Sequence, residues 1–154
     1  MKNISYPLLY GFIVAAGLIV YFLILSIFGA HTNPAYSIFN MVILAVGIYF
    51  AVHRYKKEHP AKFKDQTGFS VGLTTGFIAT AIFTFFFGLY ASEINPGFID
   101  RLLTVWEFDW HINLGMVLFT VGLMGAASTV VVTFALNQLY KDTWNTKEGR
   151  EHTF

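Results

Sequence analysis

The chain is 154 residues long, 55% hydrophobic and only 12% charged, with a mean hydropathy of +0.56 and a net charge of +1. A soluble domain carries roughly 25% charged residues, so this composition excludes an ordinary water-soluble globule and places the chain in the membrane class. The small net charge leaves no electrostatic footprint for nucleic acid, and the absence of cysteine removes disulfides, cysteine-ligated zinc and a cysteine nucleophile.

Met1 to Tyr6 is a short segment with one charge, Lys2. The run from Pro7 to Phe28 then carries no charge for about 22 residues, or roughly 33 Å of helix, enough to cross a bilayer. Pro7 suits a first helical turn, where its missing N–H costs nothing. The run is too long for a signal-peptide core and no small-x-small cleavage site follows it, so it reads as a span (7–28). Gly29 to Pro34 is a tight connection, in which Asn33-Pro34 marks a turn and can cap the next helix. The second span, 36–52, therefore forms an antiparallel hairpin with the first.

Residues 53–66 form a charged loop: Arg54, Lys56, Lys57, Lys62 and Lys64 stand against Glu58 and Asp65, and Pro60 interrupts a continuous helix. These basic residues read as a topology signal that also contacts anionic lipid. The third span, 67–91, opens with Gly68, Gly72 and Gly76 at four-residue spacing. In water such a helix is poor, since each glycine costs roughly 1 kcal/mol against alanine. In lipid a face without side chains lets another backbone approach closely. The row can pack helices within one subunit or between subunits, and spacing does not separate the two.

Residues 92–111 form a loop holding Glu93, Asp100, Glu107 and Asp109 against Arg101. Asn95-Pro96 reads as a cap. After it, Gly97, Asp100, Arg101, Thr104 and Glu107 recur on one helical face and Phe98, Ile99, Leu102, Leu103, Val105 and Trp106 on the other. The pattern predicts a short amphipathic helix in the membrane interface, with Trp106 and Trp110 at headgroup depth. The fourth span, 112–136, has a small-residue face of Gly115, Gly122, Gly125, Ala126 and Ala127. Residues 137–154 form a polar tail with Trp144 as a further interfacial anchor. If both termini are cytoplasmic, nine of the 10 Lys and Arg lie inside and only Arg101 outside, the arrangement favoured by the positive-inside rule. A faint internal echo relates residues 30–36 to residues 91–98, with one residue inserted.

No Asp, Glu, Lys or Arg falls within any predicted span. Carriers and pumps place ionisable groups inside the membrane despite the cost, so the pattern argues against a proton-coupled carrier, a redox pump or a charged filter. Thr74, Thr75, Thr80, Thr84, Ser128, Thr129 and Thr133 are the polar groups available, and they read as local or interhelical hydrogen-bonding residues. His31, His53, His59 and His111 fall at span boundaries, where two imidazoles do not face each other across a bundle as a bis-histidine haem requires. Glu93, Asp100, Glu107, Asp109 and His111 match no metal-loop spacing. No phosphate-cradling loop, nucleophile elbow or zinc-protease motif is present.

Tyr10-Gly11-Phe12, the short first hairpin, Arg54-Tyr55-Lys56-Lys57, the Phe69/Gly72/Gly76 pattern and Ile94-Asn95-Pro96-Gly97-Phe98-Ile99-Asp100-Arg101-Leu102 together resemble the domain-of-unknown-function 4199 family of small bacterial four-span membrane proteins. That resemblance implies fold and membrane location and no activity.

The expectation is an all-α integral membrane four-helix bundle of two transmembrane hairpins, with a short interfacial helix before the fourth span. Its setting is the bacterial cytoplasmic membrane, with both termini inside. No cofactor or metal is expected. The expected role is non-enzymatic: a scaffold or accessory subunit that packs against lipid and another membrane protein or a second copy. The alternative is a passive channel or carrier for a neutral or lipid-like solute. An enzyme working through Glu93, Asp100, Glu107 and Asp109 is a third, weaker reading.

Overall fold

The computed structural model describes residues 6–60, 65–105 and 112–140. Four helices carry the apolar runs: α1 Tyr6–Ile27, α2 Ser37–Glu58, α3 Asp65–Leu89 and, after the short α4 Phe98–Val105, α5 Leu114–Tyr140. Each long helix has the length and composition to cross a bilayer, where every backbone N–H and C=O must find its partner inside the segment. The molecule is an all-α, multi-pass membrane bundle.

The ends of the helices follow from local chemistry. α1 closes with Gly29 at φ +67°, a backbone region that side chains with a Cβ rarely adopt. The Gly29 N–H reaches the Ser26 carbonyl at 3.1 Å and the Ala30 N–H reaches Leu25 at 2.9 Å, the pair of bonds that closes a Schellman end. Asn33 accepts the Ala35 N–H at 3.0 Å and opens a 3₁₀ turn over Pro34–Tyr36 that leads into α2. α2 continues past the charge-free run to Glu58, carrying Arg54, Lys56 and Lys57 on its last turns. Arg54 and Glu58 pair one turn apart at 2.6 Å, which favours helix there, and the helix stops just before Pro60. α3 does not stop in a turn like α1. Its backbone widens into a π-helical turn at Tyr90–Ile94, closed by the Asn95 N–H on the Tyr90 carbonyl at 2.8 Å. The sequence echo between residues 30–36 and 91–98 is thus not an echo in structure.

α3 is the central element. It packs against α1, α2 and α5, while α1 and α5 occupy opposite corners and make little contact with each other. Two cores result. One, around Val14, Leu18, Leu44, Ile48, Val71 and Val132, fills the half nearer the basic α2–α3 loop. The other is aromatic, built on Phe22, Phe87, Tyr90 and Phe98, and lies at the opposite end under α4. α4 buries Phe98 completely and leaves Asp100, Arg101 and Thr104 exposed, so it is amphipathic as its residue pattern predicts. Trp106, Trp110, Trp144, Lys62, Lys64, Glu107, Asp109 and His111 lie outside the described residues.

Candidate functional site

The most specific geometry is the seam between α3 and α5. A Cβ built at Gly72 would meet Thr133 Cγ2 at 2.6 Å, and one at Gly76 would meet Thr129 Cγ2 at 2.3 Å. On the other helix a Cβ at Gly125 would meet Thr80 Cγ2 at 2.5 Å, and one at Gly122 lies 3.7 Å from Thr84 Oγ1. Glycine on one helix therefore receives threonine from the other, four times in succession, with the helices antiparallel. Gly72 and Gly76 are spent inside the subunit. Gly68 is buried on the same face. Gly115 lies outside the seam: it is exposed, and a Cβ there would meet only Asn113 Oδ1, at 3.2 Å, near the start of its own helix. Two further close approaches, Gly11 of α1 on Ile78 of α3 at 2.7 Å and Gly47 of α2 on Val14 of α1, join α1 to α3 and α2 to α1. Neither has a second glycine at four-residue spacing, so periodicity gives no sign of it.

The complementarity of the seam is visible in sequence once both helices are read together. α3 runs Gly72, Gly76, Thr80, Thr84, and α5 runs Gly122, Gly125, Thr129, Thr133. Antiparallel alignment sets the glycine half of each against the threonine half of the other. Thr129 is fully buried and donates its hydroxyl to the Gly125 carbonyl at 2.8 Å, the local back-bond expected of a helical threonine. Thr75 and Thr133 are equally buried, and their hydroxyls have no hydrogen-bond partner.

Beside the seam an open groove of ≈ 790 Å³ runs along the lipid-facing side of α3 and α5. Ala81, Gly88, Gly122 and Ala126 give it short walls, Phe77 and Phe85 flank it, and its lining is almost wholly apolar.

At the α4 end, polar and aromatic groups interlock. The Tyr90 hydroxyl shares a 2.6 Å hydrogen bond with Ser26 Oγ and accepts Asn95 Nδ2 at 3.2 Å, while Arg101 donates to Asn95 Oδ1 at 2.6 Å. His31 stacks on Phe98, with ring centroids 4.9 Å apart. At the basic end His53 stacks on Tyr49, His59 on Tyr55, and the Lys56 ammonium lies 5.1 Å from the Tyr140 ring centroid. Tyr6 of α1 donates to Glu58, which ties the start of α1 to the end of α2. Lys57 is exposed. Glu93 and Asp100 are exposed, and among the described residues no three His, Asp or Glu side chains converge on one point.

Residues 9–107 match the profile of DUF4199, a family described as proteins of unknown function. This is well over half of the chain. The chain belongs to the DUF4199 family. The DUF4199 match takes in α1 to α4 with His31, Gly72, Gly76, Thr80 and Thr84, and ends before α5, so the α5 side of the seam lies beyond it. Comparison with curated proteins and with solved structures finds no match.

Proposed function

We propose that this DUF4199 protein is a non-enzymatic scaffold or accessory subunit that packs its α3–α5 groove against a helix of another membrane protein or of a second copy. The supporting observation is the division of its small residues into two sets. Gly72, Gly76 and Gly125 are filled by threonines of the same chain. Ala81 and Ala126 line a groove that stays open on the lipid side, beside Gly122, whose Cβ position is in ordinary contact with Thr84, and Gly88, whose Cβ position meets Leu118 at 3.2 Å, and short side chains there permit a close backbone approach in the absence of any hydrophobic gain between helices. The proposed setting is the bacterial cytoplasmic membrane, and the proposed orientation, with both termini inside, rests on the distribution of Lys and Arg.

The test is gentle extraction from native membrane followed by mass and composition measurement of whatever emerges. A stoichiometric second protein or a homo-oligomer is expected, and Ala81→Leu should abolish the association while the bundle still folds, because Ala81 is exposed in the groove. A lone monomer in native lipid counts decisively against the proposal. The channel reading draws on the Thr75 and Thr133 hydroxyls. Those groups are packed into the helix interior, with Thr133 closed over Gly72, and solute flux no greater than in empty liposomes would remove that reading.

A further inference from the structure

We propose that His31 is a proton-sensitive latch that holds α4 on the end of the bundle. The histidine lies in the connection between α1 and α2, outside the spans. Its ring stacks on Phe98 of α4 at 4.9 Å and 14°, and meets Phe22 of α1 and Tyr90 of the π turn edge-on at 5.7 and 6.0 Å. Both ring nitrogens are out of contact with solvent and without a hydrogen-bond partner. A neutral imidazole in that position leaves one donor and one acceptor unmade, whereas an imidazolium leaves two donors and a full charge.

The surroundings offer that charge no ion-pair partner. From α4 it faces Arg101, whose guanidinium is held at Asn95. From the π turn it faces Tyr90, whose hydroxyl is already engaged by Ser26 and Asn95. From α1 it meets the Phe22 ring edge-on. The carboxylates on these elements, Glu93 and Asp100, are exposed, and neither forms an ion pair with it. The Phe98 face attracts a cation, but burial first and Arg101 second oppose it and hold the His31 pKa below its ordinary value of 6.5. The docked state therefore binds fewer protons than the undocked state. Docking is at full strength above about pH 6.5 and weakens as pH falls through and below that value, by at most about tenfold per unit. The anchor of α4, Phe98, is the ring on which His31 stacks, and Arg101 follows on the same helix. Repulsion at His31 thus acts across the contact that docks α4. This inference does not depend on the scaffold reading.

The absence of cysteine from the chain permits single-cysteine labelling of the full-length protein in detergent micelles, where both ends meet the same buffer. Leu102→Cys places a thiol on the partly buried face of α4, and Thr104→Cys places one on its exposed face. The ratio of their methanethiosulfonate labelling rates cancels the thiolate fraction. The ratio should be well below one at pH 7.5 and rise by roughly threefold or more at pH 5.0, and the rise should vanish in His31→Phe. Arg101→Gln should move the midpoint of the rise to higher pH, and that shift decides the matter alone if His31→Phe does not fold. A ratio already near one at pH 7.5, a ratio insensitive to pH, an equal rise in His31→Phe, or an unmoved midpoint in Arg101→Gln would each overturn the latch.

Discussion

An alanine methyl at Gly76 would lie 2.3 Å from Thr129 Cγ2, 2.6 Å from its Oγ1 and 2.9 Å from its Cβ. Carbon atoms in good contact sit about 3.5–4.0 Å apart, so α3 and α5 must separate by roughly 1 Å or Thr129 must rotate away. Rotation is obstructed, because Thr129 is wholly buried and its hydroxyl is bonded to Gly125. Forcing one methyl into such a contact costs about 1–3 kcal/mol, of which alanine's better helix propensity returns at most about 1 kcal/mol. Gly76→Ala should therefore lose up to about 2 kcal/mol. Gly122→Ala is the matched control: its nearest atoms, on Thr84, stand at an ordinary 3.7 and 3.8 Å, so it should be neutral or slightly stabilising.

Equilibrium unfolding in mixed micelles of mild and denaturing detergent, followed by circular dichroism, gives both numbers. Adding Thr129→Ala to Gly76→Ala removes Cγ2 and Oγ1 and should recover part of the loss, as a coupling of roughly 1 kcal/mol in a double-mutant cycle. If Gly76→Ala and Gly122→Ala prove equally stable, or the cycle shows no coupling, the seam does not hold the helices as argued.

Four further outcomes are expected. Gly29→Ala forces a Cβ into the left-handed region at φ +67° and should cost about 1–2 kcal/mol in the same titration. Phe98→Ala removes the fully buried anchor of α4; it should cost about 3–5 kcal/mol and abolish hydrogen-exchange protection over α4, whereas Tyr90→Phe, which strips Ser26 and Asn95 of their shared partner, should cost about 1–2 kcal/mol. For topology, Ser92→Cys should react with an impermeant thiol reagent on intact cells, and Lys57→Cys only after the membrane is opened; the reverse pattern would invert the proposed orientation.

Much of this architecture is readable from residues because lipid imposes a blunt rule: a charge-free run long enough to cross must be helix. The runs from Pro7 and from Gly68, and the breaks at Asn33-Pro34 and Asn95-Pro96, follow from that rule. It fails at the membrane boundary, where charge no longer opposes helix. α2 therefore continues through Arg54, Lys56 and Lys57, although those residues mark the end of the apolar run. The π turn at Tyr90–Ile94 carries no propensity signal; Tyr90 at its start bonds across the bundle to Ser26 and locally to Asn95. Gly68, Gly72 and Gly76 announced a packing face but not its partner. Only the threonines of α5, read in the antiparallel sense, supply that.

The two halves of the bundle are held by different physics, and this sets how each should respond to change. Near the basic end, backbone meets threonine and glycine at distances that leave no room for a methyl, so stability there is lost by adding volume. At the α4 end the contacts are between large rings, Phe22, Phe87, Tyr90 and Phe98, with Phe22 lying 4.9–6.2 Å from its aromatic neighbours. Stability there is lost by removing volume or by placing charge on the one ring able to carry it, His31. A protein built to remain a fixed packing surface along α3 and α5 would use the first kind of contact, since glycine has no rotamer to change and Thr129 is held by burial and by its bond to Gly125. The second kind, with a titratable ring in the cluster and an amphipathic helix resting on it, is the arrangement that can open at one end while the seam stays closed.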